Sequence, residues 1–288
     1  MDGTTRLPER QSEAAPLQHF PAQTAQTPGS LLLLPALGVP AHRYTRCATL
    51  LSEAGISVTL MEWRGVGDSP LRASRSCDFG FAELLDADIP AALRGMREAA
   101  PEAPLWIMGH SLGGHLAAIT AGRLQEVVDG LILVACGSPW LAAYAGPTRR
   151  RIRLLCALIP VCNTLLGYFP GDRIRFGGRQ PRRLMRDWRR LALTGGYRAE
   201  GVEEDLEAGL ARYAGRVLSL RMAEDAFAPA AAVRAVTGKL AAADLQEAVI
   251  DAAELGQPAD HFRWAKQPDA VVRRVMDWCA LAAEERAA

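Results

Sequence analysis

Short apolar runs alternate with amphipathic stretches along most of this chain. The runs are Leu31-Leu-Leu-Leu34, Ile56-Ser-Val-Thr-Leu-Met61, Leu105-Trp-Ile-Met108, Gly130-Leu-Ile-Leu-Val-Ala135 and Arg216-Val-Leu-Ser-Leu-Arg-Met222. They are too short for helices, and several are bounded by Gly or Pro. That pattern fits strands buried on both faces. Weaker strands are expected at Leu17 to Ala22 and at Ala248 to Ile250. Helical periodicity fills the intervals: Arg43 to Ala54, with Leu50 and Leu51 on its apolar face and Gly55 as its stop; Phe79 to Ala99; His115 to about Gln125; Pro229 to Ala241; and Ala270 to Ala283. Strands and helices of these lengths in alternation predict right-handed βαβ units. The fold class is therefore α/β, with a mostly parallel, doubly wound sheet.

The alternation breaks once. Residues 137–213 carry helix-like segments, the clusters Gly167-Tyr-Phe-Pro-Gly171 and Phe176-Gly-Gly178, and no convincing strand. The expected organisation is a disordered leader over 1–15, a core formed by 16–136 and 214–288, and a helical lid over 137–213 that interrupts the sheet. No internal repeat is visible.

Composition narrows the classes. With 288 residues, 49% hydrophobic and 23% charged, the chain suits one large soluble domain with an insertion. The net charge of +1 hides an uneven distribution. Between positions 149 and 200 stand Arg149, Arg150, Arg151, Arg153, Arg173, Arg175, Arg179, Arg182, Arg183, Arg186, Arg189, Arg190 and Arg198, against only Asp172, Asp187 and Glu200. Such a cluster either forms a solvated face or attracts an anionic substrate or surface. No aromatic-interleaved platform or reader motif accompanies it, which argues against nucleic acid. The most apolar stretch, residues 152–169, is broken by Pro160 and Asn163 and falls short of a membrane span. Weak interfacial contact by this amphipathic segment is compatible with its pattern; stable insertion is not. The six cysteines lack ligand spacing and the polar first residues lack a secretory pattern, so a cytoplasmic protein without a structural metal is expected.

Candidate chemistry centres on Gly109-His110-Ser111-Leu112-Gly113, extended by Gly114. It lies between a strand and a small-residue helix, the context in which G-x-S-x-G lifts a serine hydroxyl out of a sheet. Glycines two before and two after the serine let strand and helix approach closely. The Leu112 amide, at the helix start, is free to face a developing oxyanion. Serine needs a base, and five histidines allow elimination. His19 lies in the polar leader and His42 opens a helix. His110 and His115 are too close to the serine in sequence for their rings to reach its hydroxyl. His261 remains, in a loop between the last strand and the last helix, where ligand crevices form. The orienting acid is expected at the preceding strand end, in Ala223-Glu-Asp-Ala-Phe-Ala-Pro229. Asp225 is preferred, with Glu224 as close rival and a helix cap as the alternative role. Asp260 is poorly placed, being adjacent to the histidine. A second oxyanion amide is expected in Pro35-Ala36-Leu37-Gly38, at Leu37 first and Ala36 next.

Taken together, the elbow, the Trp63-Arg-Gly-Val-Gly-Asp-Ser69 loop, Glu224-Asp225 and Asp260-His261-Phe262 resemble the α/β-hydrolase superfamily over roughly residues 16 to 285. Gly38-Val39-Pro40, Gly167-Tyr-Phe-Pro-Gly171 and Asp187-Trp188 are similar to a bacterial group of predicted hydrolases related to serine aminopeptidase-like and monoacylglycerol-lipase-like enzymes. The resemblance implies an eight-stranded sheet with a helical lid inserted after the sixth strand. It also implies hydrolysis of a small or medium acyl ester or thioester through a serine acyl-enzyme, without cofactor. Acyl transfer or peptidase chemistry with the same triad, or a non-catalytic binding role, are the alternatives. Three departures stand out: Pro35-Ala36 where the family usually has His-Gly, Asp260 where Gly often precedes the histidine, and shortened N-terminal strands.

Overall fold

The structure, a computed structural model, describes residues 15–24 and 29–287. The leader expected over 1–15 lies, up to residue 14, outside the described residues.

Among the described residues, nine strands follow one another: β1 Leu17–Phe20, β2 Gly29–Leu34, β3 Ile56–Met61, β4 Leu105–His110, β5 Gly130–Val134, β6 Phe169–Pro170, β7 Arg179–Gln180, β8 Arg216–Met222 and β9 Asp244–Ile250. Seven of them form one sheet in the order β1-β3-β2-β4-β5-β8-β9. Only β1 runs antiparallel, against β3. The continuous apolar runs are explained by burial on both sides. Leu32, Leu34, Ile107, Leu131 and Leu133 face one core, while Leu31, Leu33, Trp106, Ile132 and Val134 face the other. Helices Leu112–Arg123 and Ile89–Ala99 cover the first face; Thr45–Glu53 and Asp269–Ala287 cover the second.

Several details differ from expectation. The described sheet has seven strands, not eight, and the insertion follows β5, the fifth strand, rather than a sixth. Strand β9 begins at Asp244 rather than Ala248. It is an edge strand whose first residues are largely exposed, so no apolar run marks its start. Within the insertion, β6 and β7 pair as a two-residue-per-arm hairpin that a reading of apolar runs cannot detect. The helix expected from Pro229 to Ala241 spans Ala230–Thr237.

The insertion is otherwise helical, with helices Gly146–Leu166, Arg182–Thr194 and Leu206–Arg212. It is tied to the core by Asp187, whose buried carboxylate accepts the Phe81 N–H at 3.1 Å and the Glu200 N–H at 3.0 Å. The core helix that starts at Phe81 continues to Ala99 through a π turn at Leu84–Asp88. Among the described residues, no helix is long and apolar enough to cross a membrane.

Chain order creates the crevice. From β2 the chain moves outward to β3, then returns past β2 to β4, so the loops after β2 and β4 diverge at the carboxyl edge. Such a switch point is where open α/β sheets place ligands. The loop after β2 is Pro35–Gly38, and the residue after β4 is Ser111.

Candidate active site

Ser111 sits between β4 and helix Leu112–Arg123 with φ +53° and ψ −115°. A non-glycine residue adopts such a backbone at a cost of about 1–3 kcal/mol, so its surroundings must hold it there. Its N–H donates to Val134 O at 3.1 Å, and its carbonyl accepts Gly114 N–H at 2.9 Å and His115 N–H at 3.2 Å. The flanking glycines are sterically required: a Cβ on Gly109 would enter the Gly113 backbone, and one on Gly113 would enter the Leu34 carbonyl.

Two separate loops bring partners to the serine. The Ser111 hydroxyl donates to His261 Nε2 at 3.0 Å, and His261 Nδ1 donates to Asp225 Oδ2 at 2.7 Å. Asp225 follows β8, and His261 follows β9 and the short helix Ala252–Leu255. Both side chains are buried. The second Asp225 oxygen, Oδ1, accepts Phe227 N–H at 2.7 Å and Ala228 N–H at 2.9 Å. The capping role weighed for Asp225 therefore belongs to one oxygen of the same carboxylate, while the helix that follows takes Pro229 as its N-cap. Glu224 is exposed, and Asp260 uses its own oxygens on Phe262 N–H at 3.0 Å, Arg263 N–H at 2.9 Å and the Arg263 guanidinium at 3.2 Å. Phe227, Phe262 and His110 surround the His261 ring at centroid distances of 5.4, 4.7 and 4.9 Å.

The loop after β2 is pinned from three sides. Trp63 Nε1–H donates to Pro35 O at 2.8 Å, which gives the Trp63-Arg-Gly motif its local purpose. Ala36 N–H donates to the Tyr44 hydroxyl at 3.0 Å, and that hydroxyl donates to His110 Nδ1 at 2.7 Å. Burial, reinforced by the adjacent His261, holds His110 well below the usual imidazole range, so the ring stays neutral and retains one nitrogen able to accept. The third contact comes from the insertion: Gly38, at φ +66°, lies so close to Gly177 that a Cβ would enter the Gly177 carbonyl. With the Ala36 amide committed to Tyr44, Ala36 is removed as an oxyanion donor. The Leu37 and Leu112 amides have no partner among the described residues, and both residues line the cavity over Ser111.

That cavity measures about 130 Å³ and is walled by core and insertion together, with Leu37, Leu112, Ile152, Leu155, Trp188 and His261 among its lining. It is below the ~300 Å³ floor typical of drug-sized ligand sites, so a short acyl chain fits without movement of the insertion. Sequence reasoning missed the Tyr44–His110 link; a tyrosine on the first helix near the loop was its only signal.

The model of the serine aminopeptidase (S33) family matches residues 25–165. No curated protein sequence matches the chain at a significant level. Among solved structures, the chain is similar to a monoacylglycerol lipase of Paleococcus ferrophilus, with TM-score 0.62, 17% identity and coverage of 92% of this chain and 98% of that one. It is similar to a structure of the metagenome-derived lipolytic enzymes LipS and LipT, with TM-score 0.65, 15% identity and coverage of 92% and 97%. It is also similar to BorB, the type II thioesterase of the borrelidin biosynthetic cluster, with TM-score 0.55, 17% identity and coverage of 91% and 97%.

Proposed function

We propose that this chain, a member of the α/β-hydrolase superfamily, hydrolyses an ester or thioester of a small or medium acyl group through a serine acyl-enzyme. The observation that carries this reading is the line Ser111 Oγ, His261, Asp225, ending at the cavity into which two unengaged amides open. Asp225 Oδ2 accepts a hydrogen bond from Nδ1–H, which keeps the proton on Nδ1 and leaves Nε2 as the base. Ser111 Oγ attacks the carbonyl carbon while its proton passes to Nε2, and the Leu37 and Leu112 amides receive the oxyanion. The imidazolium, paired with Asp225, returns the proton to the leaving alcohol or thiol. A water then repeats the sequence on the acyl-enzyme and frees the acid. The lipolytic and thioesterase neighbours are in keeping with this chemistry.

The test is hydrolysis of 4-nitrophenyl butyrate together with covalent labelling by a fluorophosphonate. Turnover and labelling are both expected in the wild type and both absent in Ser111→Ala. Equal turnover in the folded Ser111→Ala protein would overturn the proposal. An inert serine in folded wild-type protein would point instead to a binding role.

A further inference from the structure

The arginines of the insertion divide into distinct groups. Several are staples: Arg182 pairs with Asp78, Arg186 with Glu200 and Arg190 with Asp187, while Arg189 Nε donates to Cys156 O at 2.7 Å. These four line a groove of about 690 Å³ between helices Gly146–Leu166 and Arg182–Thr194, which includes no residue of the site at Ser111. Others, such as Arg149 and Arg150, are exposed and line no cavity of the site. Arg151 and Arg175 are exposed too, yet they differ from both groups in where they stand. Both line the cavity over Ser111, and neither guanidinium has an ion pair or hydrogen bond among the described residues.

We propose that Arg151 and Arg175 select a substrate that carries an anionic group, a carboxylate or a phosphate, close to its scissile carbonyl. The inference rests on the hydrolase reading above and adds the substrate's charge to it. Three observations support it. Arg175 has φ +56°, a left-handed backbone rare for a residue with a side chain. It stands at the tip of the β6–β7 hairpin, two residues before Gly177, whose backbone packs on Gly38 and Leu37. The strained residue thereby lines the same cavity as Leu37, whose amide is assigned to the oxyanion. Arg151, on helix Gly146–Leu166, has its guanidinium carbon 5.6 Å from the centre of the Phe227 ring that flanks His261. Finally, Thr148 brings the first turn of helix Gly146–Leu166 to the same cavity, and that turn contains no acidic residue to offset the positive end of the helix. The lining includes no Asp or Glu. An entering anion meets two guanidinium groups at the exposed part of a cavity whose inner walls are largely apolar.

The anion belongs either to the acyl chain or to the leaving group, and two esters separate these sources. Mono-4-nitrophenyl glutarate carries a carboxylate on the acyl side, and 3-carboxy-4-nitrophenyl pentanoate carries one on the leaving group. Neutral 4-nitrophenyl pentanoate is the reference. The expected result is that at least one anionic ester exceeds the reference about tenfold in kcat/KM. That ratio should fall about tenfold in Arg175→Gln or Arg151→Gln, and shrink as salt is raised from about 20 to about 500 mM. Arg175→Lys, which keeps the charge, should hold the ratio above that of Arg175→Gln. A purely structural role would lower all rates together and leave the ratio unmoved. A wild-type ratio at or below one for both anionic esters overturns the inference, as does a ratio that survives in the double Gln variant. If no ester reacts and Ser111 resists the fluorophosphonate, the hydrolase reading fails, and calorimetry with glutarate decides the anion site separately. Binding abolished by the double variant sustains the site; absence of binding to the wild type removes it.

Discussion

Asp225→Asn is the substitution whose outcome the geometry constrains most tightly. The carboxylate has two separate tasks: Oδ1 accepts the Phe227 and Ala228 amides at 2.7 and 2.9 Å, and Oδ2 accepts His261 Nδ1–H at 2.7 Å. Asparagine has the same shape but only one acceptor. Turning its NH₂ toward the loop would set it against two N–H donors, and each buried donor left unpaired costs about 1–3 kcal/mol. The carbonyl therefore stays with the loop, and the NH₂ faces Nδ1. His261 must then accept at Nδ1 and carry its proton on Nε2, where the Ser111 hydroxyl needs an acceptor. The imidazolium formed during attack also loses its counter-charge. The corresponding loss when a triad acid becomes an amide is about 10⁴-fold in kcat, or about 5.5 kcal/mol. Because the loop bonds survive, the melting temperature should barely move. Steady-state hydrolysis of 4-nitrophenyl butyrate, run beside a thermal melt, reads both quantities. Glu224→Gln, at an exposed position, should stay within about twofold, since a solvated carboxylate acts only through screened electrostatics. A kcat for Asp225→Asn within tenfold of wild type, or an equal loss in Glu224→Gln, would refute the assignment of the acid.

Further outcomes follow from the supports around the site. Tyr44→Phe removes the hydroxyl that accepts Ala36 N–H and donates to His110 Nδ1, and leaves both groups buried without a partner. Urea unfolding should show a loss of about 2–5 kcal/mol, and a loss below about 0.5 kcal/mol would exclude the link. Asp187 supplies a pH dependence. Burial pushes its carboxyl up from 3.8 to about 6, so the folded protein holds a proton that the unfolded chain releases. Its contribution favours folding at low pH and is lost as pH rises through that window. The difference in Tm between wild type and Asp187→Asn should therefore fall between about pH 4 and pH 6 and level off above; a flat or rising difference would contradict the burial argument.

What the sequence by itself determined is local. Ser111 was legible because the elbow needs small residues where strand and helix backbones nearly touch, and that demand is written as Gly109 and Gly113. The inner strands were legible because burial on both faces leaves unbroken apolar runs. His261 was reached by elimination among few histidines.

The tertiary structure decided every choice between neighbours. Asp225 and Glu224 differ by one position, and only the turn after β8 establishes which of them is buried against the imidazole. Ala36 and Leu37 both offer amides, but a tyrosine hydroxyl from the next helix engages one of them. The arginines read alike in the chain, yet some are staples and two face the cavity unpaired. The difference is physical: backbone strain and burial are imposed by a residue's immediate neighbours and leave a local pattern. Competition for a hydrogen bond or a counter-ion is instead settled by groups brought together only when the sheet and its insertion pack.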